Sequence, residues 1–163
     1  MNGSGYTLRP ALLKDALVLA HFRAGMFLDM QAPLEEGWEA CWTAYFQQAL
    51  VDGRYWAMLA TVGGRPVACA GLMVLPMVPL PSDPSGGRAH VQGVYTLPEY
   101  RGRGLAETLT RAVLKEAQER GYKAANLNAS APGRGIYERL GFVEATSPEL
   151  RLNLGQIRER VKG

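Results

Sequence analysis

The sequence predicts a mixed α/β fold in which helices flank one central, mostly antiparallel sheet. Its 163 residues suit a single compact domain with its own hydrophobic core. One strand-like segment precedes two helix-like segments, and three strand-like segments follow before helices and strands alternate. The dipeptide Gly63-Gly64 is a two-residue hairpin turn, which makes the strands on either side of it antiparallel. No internal repeat or linker divides residues 1–163, so we expect one domain.

The first half of the chain supplies a strand, two helices and the hairpin. Apolar side chains recur at helical spacing in both helical segments, and Pro33 separates the two because proline breaks a helix. The dipeptide Asp52-Gly53 ends the second helix. The predicted elements are a strand at Tyr6–Arg9, helices at Ala11–Met30 and Glu35–Val51, and strands at Tyr55–Val62 and Pro66–Leu75.

The second half opens with a long loop. The segment Pro76–Arg88 is rich in Pro, Ser and Gly, which excludes regular structure. The helix that follows later is amphipathic, and Gly121 is placed to end it. The predicted elements are a strand at Ala89–Thr96, a helix at Leu105–Arg120, a strand at Ala124–Asn128, a helix at Arg134–Leu140, and strands at Phe142–Glu144 and Leu150–Leu154.

Composition limits the classes of function. The net charge is only +3 and the basic residues are dispersed, whereas a generic nucleic-acid binder more often carries Lys/Arg runs with interleaved aromatics. No apolar run reaches the roughly 18 residues of a membrane-spanning helix, and Met1–Arg9 lacks the features of a signal peptide. We therefore expect a cytoplasmic protein with no nucleic-acid or membrane partner. Cys41 and Cys69 lack metal-ligand spacing, so we expect inert, largely buried thiols and no metal.

A segment rich in glycine and arginine, Arg101-Gly102-Arg103-Gly104-Leu105-Ala106, lies between a predicted strand and a predicted helix. The first N–H groups of a helix have no partner within it, and together with the helix dipole they form an anion site. The two glycines let the backbone approach a pyrophosphate closely, and the two arginines can add charge-assisted hydrogen bonds. The glycine spacing matches neither a P-loop nor a Rossmann motif. The segment by itself is compatible with a phosphate cradle and with an ordinary glycine-rich turn.

A second segment, Tyr137-Glu138-Arg139-Leu140-Gly141-Phe142, places a tyrosine on a short helix that ends at a glycine. A helical tyrosine alone more often packs in a core. Together, the two segments resemble the GCN5-related N-acetyltransferase (GNAT) family. Arg101-x-x-Gly104-x-Ala106 matches that family's Gln/Arg-x-x-Gly-x-Gly/Ala signature, Val94–Tyr100 matches its lead-in strand and turn, and Tyr137–Phe142 matches its second signature. The order of elements fits the family along nearly the whole chain.

The resemblance implies acetyl-CoA as co-substrate. In that family the lead-in strand splays from its neighbour and offers backbone groups to pantetheine, while the cradle holds the pyrophosphate. The family often has an Asn seven residues before the signature tyrosine. Ser130 occupies that offset here and Asn128 lies two residues earlier, so either side chain can contact pantetheine or cap the short helix. The implied cofactor-binding residues are Val94, Tyr95, Thr96, Arg101, Gly102, Arg103, Gly104, Leu105, Ala106, Glu107, Asn128 and Ser130.

The resemblance also implies direct attack of an amine on the thioester within a ternary complex. Tyr137 is expected to donate a proton to the leaving thiolate, because a phenol pKa of about 10 suits a thiol pKa of about 8.5. Some relatives keep a Glu at the start of the lead-in strand. By ungapped count from the cradle His90 stands there, and a histidine accepts a proton near neutral pH. Glu35 and Glu36 are other candidate bases, and a surface or structural role is the alternative for all three.

The acceptor is the least determined part of the prediction. A primary amine of a small molecule is the leading hypothesis. A protein N-terminus or lysine is the alternative within the same chemistry, and a non-catalytic acyl-CoA-binding module is the hypothesis from another class. Arg23 and Arg88 favour a carboxylate-bearing acceptor such as an amino acid, and the Pro76–Arg88 loop is a candidate wall of the acceptor pocket. Family members are commonly dimers, so a homodimer is compatible with the resemblance.

Overall fold

A computed structural model describes residues 5–156 of the chain. The strands are β1 (Thr7–Pro10), β2 (Tyr55–Val62), β3 (Arg65–Pro76), β4 (Gly87–Thr96) and β5 (Ala125–Asn126), and the α-helices are α1 (Ala16–Asp29), α2 (Trp38–Asp52), α3 (Leu105–Glu119) and α4 (Arg134–Arg139). Within these residues the strands form one sheet in the order β1-β2-β3-β4-β5. The first four strands pair antiparallel, and β5 pairs parallel to β4. The predicted mixed α/β fold with a mostly antiparallel central sheet is confirmed.

Helices cover both faces of the sheet. Helix α3 packs on one face, where Leu109 and Val113 are fully buried. These side chains are four residues apart and therefore lie on the same side of the helix. Helices α1 and α2 pack on the other face, where Phe22 and Phe46 join the cluster around Leu59. The apolar surface buried in these two layers is the main favourable term in folding.

Helix α2 begins three residues later than predicted, at Trp38 and not at Glu35. Gly37 precedes it with φ of 80°, a left-handed conformation that glycine adopts without steric cost and that interrupts the helix. Glu35 and Glu36 therefore lie in the preceding loop, where both are exposed. No helix within residues 5–156 combines the length and the hydropathy needed to cross a lipid bilayer.

Helix α1 also starts later than predicted, at Ala16, because a single 3₁₀ turn precedes it. Asp15 in that turn is buried. Its carboxylate accepts two hydrogen bonds from the Arg9 guanidinium, at 2.7 and 2.8 Å, and one from the Leu12 N–H at 2.7 Å. The Arg9 hydrogen bonds are the main reason why the pKa of Asp15 is lowered. This ion pair fixes β1 against the start of the first helix.

The β3–β4 hairpin is longer than predicted. Strand β3 continues to Pro76 and β4 begins at Gly87, and these two residues are paired. Arg88, which was expected in the loop, therefore lies on β4, and the loop is reduced to residues 77–86. A glycine suits position 87 because a Cβ there would lie 2.7 Å from the Val74 side chain.

The two strands predicted after α4 do not form. Phe142–Glu144 and Leu150–Leu154 lie outside the sheet, and Val143 is 88% exposed. Strand β5 was expected at Ala124–Asn128 but is only two residues long, so the outer edge that it offers is too short to pair with another strand. Without a partner, a strand gains neither ladder hydrogen bonds nor burial. The prediction of these two strands is therefore wrong for the described residues.

Candidate active site

Strands β4 and β5 separate shortly after they meet. Their only pairs within the described residues are Ala89 with Ala125 and His90 with Asn126. Beyond His90, β4 continues for six residues to Thr96 with no strand beside its outer edge. Backbone groups along that edge are therefore available to a ligand. We call this opening the fork, and its geometry matches the splayed lead-in strand that the resemblance implied.

A β-bulge lies in the part of β4 that borders the fork. Gly71 is opposite Gln92, but Cys69 is opposite Tyr95, so β4 contains one residue more than β3 over this stretch. Gly93 adopts φ of 62° there. A glycine inside a strand is a known signal for a bulge, and the sequence analysis did not use it. The bulge changes which side chains of β4 face each side of the sheet.

Cys69 holds the bulge in place. Its thiol donates a hydrogen bond of 3.0 Å to the carbonyl oxygen of Gly93. Burial raises the pKa of Cys69 to about 12, so the sulfur keeps the hydrogen that it donates. The expected buried, inert thiol is thus found at Cys69, whereas Cys41 is exposed on α2.

The start of α3 has the backbone geometry of an anion site. Gly102 and Gly104 adopt φ of 74° and 73°, and no atom lies within 4 Å of a Cβ built on either residue. No side chain within the described residues caps the helix, and the first helical hydrogen bond runs from the Thr108 N–H to the Gly104 carbonyl. The N–H groups without a helical partner are those of Leu105, Ala106 and Glu107. The predicted cradle residues therefore lie together, with open space beside the two glycines, while the Leu105 side chain packs in the core.

Arg101 uses its side chain to connect β4 with α1. Its guanidinium donates to the Thr96 carbonyl at 2.9 Å and pairs with Asp29 at 2.6 Å. It also lies over the ring of Tyr95, at 5.5 Å from the ring centre. That ring packs so closely against Gly25 of α1 that a Cβ there would lie 2.4 Å from the hydroxyl. These contacts fix the path of the chain into the cradle, and the predicted contact between Arg101 and a phosphate stays a prediction.

The outer part of the cradle is braced by two further charged side chains. Arg103 donates to the carbonyl of Glu99 at 3.1 Å and lies over the ring of Tyr100. Glu107, in the first turn of α3, pairs with Arg139 of α4 at 3.2 Å. Helix α4 is thereby attached to the end of α3 that carries the free N–H groups.

Tyr137 lies on α4, two residues before Arg139. Residues two apart on a helix point in different directions, so the phenol does not share the exposed side that Arg139 occupies. The ring is half-buried and contacts Phe142 edge to face, with 6.1 Å between ring centres. Burial raises the pKa of Tyr137 above its usual value. The phenol therefore remains protonated at neutral pH.

Ser130 and Asn128 differ in their surroundings. The hydroxyl of Ser130 accepts a hydrogen bond from the Gly133 N–H at 3.3 Å, which stabilises the turn before α4. Asn128 is exposed, and its side chain makes no hydrogen bond within residues 5–156. Helix α4 itself has Gly133 at its N-cap position and no side-chain cap among the described residues, so Ser130 stabilises the preceding turn and does not cap the helix. Asn128 makes neither contact, so the predicted pantetheine contact of either side chain stays a prediction.

His90 occupies the closed end of the fork, in the last residue pair before β4 and β5 separate. Its Nδ1 lies 3.0 Å from Oδ1 of Asn126. Because an amide oxygen can only accept, this contact is a hydrogen bond in the tautomer that carries its hydrogen on Nδ1, and that tautomer leaves Nε2 as the acceptor. Asn126 thus fixes the tautomer in which His90 can act as a base through Nε2. The sequence analysis identified His90 but not Asn126, whose role depends on a pairing between distant segments.

Helices α1 and α2 present an aromatic cluster on their shared surface. Trp42 contacts both Phe27 and Trp38, with ring centres 5.5 and 5.3 Å apart. The Arg23 guanidinium lies over Phe27 and Trp42, at 5.0 Å from each ring centre. His21 pairs with Glu39 and is exposed. Arg23 is therefore held by aromatic rings, and His21 is an exposed surface residue.

Comparison with known proteins supports the assignment of the fold. The chain matches the model of the "Acetyltransferase (GNAT) family" over residues 23–142. A predicted acetyltransferase from Clostridium acetobutylicum, solved with acetyl-CoA, superposes on this chain with a TM-score of 0.87 at 25% sequence identity. The match covers 94% of this chain and 99% of the acetyltransferase. A GCN5-related N-acetyltransferase from Ralstonia eutropha JMP134 superposes with a TM-score of 0.78 at 28% sequence identity, and the match covers 91% of this chain and 99% of that protein.

A curated relative is the glucosamine 6-phosphate N-acetyltransferase of Trypanosoma brucei brucei, which is 34% identical over 93 residues. The match covers 56% of this chain and spans 59% of the relative. The family model and the solved structures agree on one class of protein, the GNAT acetyltransferases. The chain belongs to the GNAT acetyltransferase family.

Proposed function

We propose that this protein transfers an acetyl group from acetyl-CoA to a primary amine of a small molecule in the cytoplasm. His90 is the general base and Tyr137 the general acid, and the amine attacks directly within a ternary complex. The observation that carries this proposal is the His90–Asn126 pair at the closed end of the fork, on the same strand that leads to the cradle.

The residues present fit acetyl-CoA. The two left-handed glycines leave open space in front of the uncapped α3 N-terminus, as a pyrophosphate needs. The edge of β4 along the fork offers unpaired backbone groups to pantetheine. The hydroxyl of Thr96 is buried and lacks a hydrogen-bond partner among the described residues, at one of the predicted pantetheine contacts. When bound, acetyl-CoA supplies an activated thioester.

Two side chains move the protons. An amine is protonated at neutral pH and cannot attack, so Nε2 of His90 first removes one proton. Asn126 keeps its hydrogen bond to Nδ1–H throughout and stabilises the resulting imidazolium. Tyr137, protonated because of its burial, gives a proton to the departing thiolate. The amide nitrogen loses a second proton to solvent. The His90 imidazolium then gives its proton to solvent and the Tyr137 tyrosinate takes one back, so both side chains are restored and one proton is released overall.

A small acceptor is supported by the curated relative, which is named for an amino sugar phosphate. The test is release of free thiol from acetyl-CoA with a panel that contains glucosamine 6-phosphate, amino acids, a peptide with a free N-terminus and a peptide with one lysine. We expect turnover of at least one small amine and its loss in His90→Ala. Turnover of peptides alone would refute the small-molecule assignment. Micromolar binding of acetyl-CoA without turnover of any amine would favour the binding module.

A further inference from the structure

Arg88 is a half-buried cation without a partner. It lies on β4 opposite Leu75. Within residues 5–156 its guanidinium makes no hydrogen bond or ion pair, whereas Arg9 and Arg101 pair with Asp15 and Asp29. A half-buried guanidinium has lost part of its hydration, so charge-assisted hydrogen bonds to an anionic ligand stabilise it strongly.

Arg88 lines a cavity of about 260 Å³ at the start of β4. Apolar side chains of the β3–β4 loop form one wall, among them Met77 and Leu80, and Lys123 supplies a second cation. Asp83 is the only carboxylate among the lining residues. It accepts a hydrogen bond from the Ser85 N–H at 3.1 Å. Among the described residues no ion pair joins it to either cation, but the hydrogen bonds from Ser85 and, to a smaller extent, the charges of Lys123 and Arg88 lower the pKa of Asp83, so one negative charge partly offsets two positive ones. The cavity therefore has an excess of positive charge.

The cavity lies close to the proposed base along β4. Arg88 and His90 are two residues apart on one strand, so their side chains lie on the same face of the sheet, with about 7 Å between the Cα atoms. In the other direction, Thr96 is eight residues from Arg88, roughly 25 Å along the strand. The cradle begins beyond Thr96, so the cavity is separate from the proposed pyrophosphate site.

We propose that this cavity binds an anionic group, a phosphate or a carboxylate, of the acceptor. The acceptor is then a small amine whose anionic group lies roughly 5–10 Å from its nitrogen, which places the nitrogen at His90 while the anion contacts Arg88 and Lys123. This inference rests on the proposed function for the position of the amine. The anion site itself rests only on the cavity and its charges.

The first measurement is binding of inorganic phosphate to the full chain saturated with desulfo-CoA, followed by NMR. We expect Arg88→Ala to weaken phosphate binding about 10- to 100-fold, as befits the loss of a charge-assisted pair. Arg65→Ala is the matched control, since Arg65 is exposed at the far end of β3 and also has no ion pair within the described residues. Equal phosphate affinity in wild type and Arg88→Ala would overturn the anion site, whether or not any amine is acetylated.

The second measurement compares turnover of 3-aminopropyl phosphate with that of 3-aminopropanol. We expect the wild type to prefer the phosphate ester at least 10-fold in kcat/KM, and Arg88→Ala to lose this preference through KM. Arg65→Ala should retain it. Turnover of both amines at equal kcat/KM would overturn the inference and leave the proposed function standing. Phosphate binding that depends on Arg88, without turnover of any amine, would support the anion site and count against the proposed function.

Discussion

The two ends of β4 present their functional groups in different ways. The carboxyl end leads to backbone N–H groups at the start of α3, made accessible by Gly102 and Gly104. The amino end presents side chains: His90, held by Asn126, and Arg88, which has no ion-pair partner among residues 5–156. The carboxyl end should therefore be most sensitive to changes that alter the backbone. The amino end should respond to truncation of single side chains.

The largest expected effect is at Tyr137, whose helix α4 is attached to the start of α3 by the ion pair between Arg139 and Glu107. Tyr137→Phe removes the acid and nothing else, so we expect kcat to fall by about 100- to 10,000-fold while acetyl-CoA affinity stays near normal. Steady-state kinetics and calorimetric titration measure the two quantities. Equal rates in mutant and wild type would remove Tyr137 from the mechanism.

The pH profile tests the same residue. The acid must be protonated to act, and burial raises the pKa of Tyr137, so the alkaline limb of kcat should lie above the usual phenol range near roughly 10. The wild type should thus keep its activity through mildly alkaline pH. A limb that lies below that range, or one that is unchanged in Tyr137→Phe, contradicts the assignment.

Gly104→Val is expected to have the next largest effect, and it tests whether the cradle binds the cofactor through its backbone. A valine cannot easily adopt φ of 73° and would fill the open space that the pyrophosphate needs. We expect acetyl-CoA affinity to fall by about 100-fold or more. Gly53→Val is the control, because Gly53 has φ of 78° and equally open surroundings but lies after α2. If both variants lose affinity equally, strain on the fold is responsible and the cradle assignment fails.

Asn126→Ala tests whether the amino end of β4 acts through single side chains. Without the amide oxygen, His90 is free to rotate and to change tautomer, so we expect kcat to fall about 10-fold with KM nearly unchanged. Asn126→Asp keeps an acceptor at Nδ1 and should restore most of the rate. Gln118→Ala, on the exposed side of α3, is the control. An equal loss in the Ala and Asp variants would indicate a purely structural role for Asn126.

The contrast between the two ends also explains what the sequence could predict. The backbone geometry of the cradle depends on the spacing of two glycines and the start of one helix, which are local, so it could be predicted from Arg101–Ala106. The binding of a pyrophosphate there stays a prediction. The Arg88 cavity depends on where the β3–β4 ladder ends, and the Pro-rich composition concealed the pairing of Pro76 with Gly87. Asn126 acquires its role only through pairing with His90, 36 residues away in the chain.

The same reasoning accounts for the error at the C-terminal side. Strands were predicted at Phe142–Glu144 and Leu150–Leu154, but the residues of a segment show only that it could form a strand if a partner were present. Whether it pairs depends on the edge available, and β5 is two residues long. By contrast, the bounds of helix α3 were predicted to within one residue, because its apolar side can be buried against the face of the sheet without pairing with a particular strand.

The smallest expected effect lies between the two ends, at the bulge. The Cys69 thiol contributes one hydrogen bond to the Gly93 carbonyl and fills a small buried volume. Cys69→Ala should therefore lower the free energy of unfolding by about 1 kcal/mol. The measurement is urea denaturation, and Cys41→Ala, at an exposed position on α2, should leave the midpoint unchanged.

Kinetics of the same variant show whether the bulge couples the two ends of β4. The bulge at Gly93 could set how the carboxyl end of β4, which leads to the cradle, is oriented relative to His90. In that case Cys69→Ala should lower kcat a few-fold, while the separate affinities for acetyl-CoA and for the acceptor stay constant. Cys69→Ser keeps a donor to the Gly93 carbonyl and should lie closer to wild type. If kcat is unchanged in both variants, the bulge stabilises the sheet without influencing the geometry between base and thioester. The two ends of β4 would then be independent binding sites that merely share a strand.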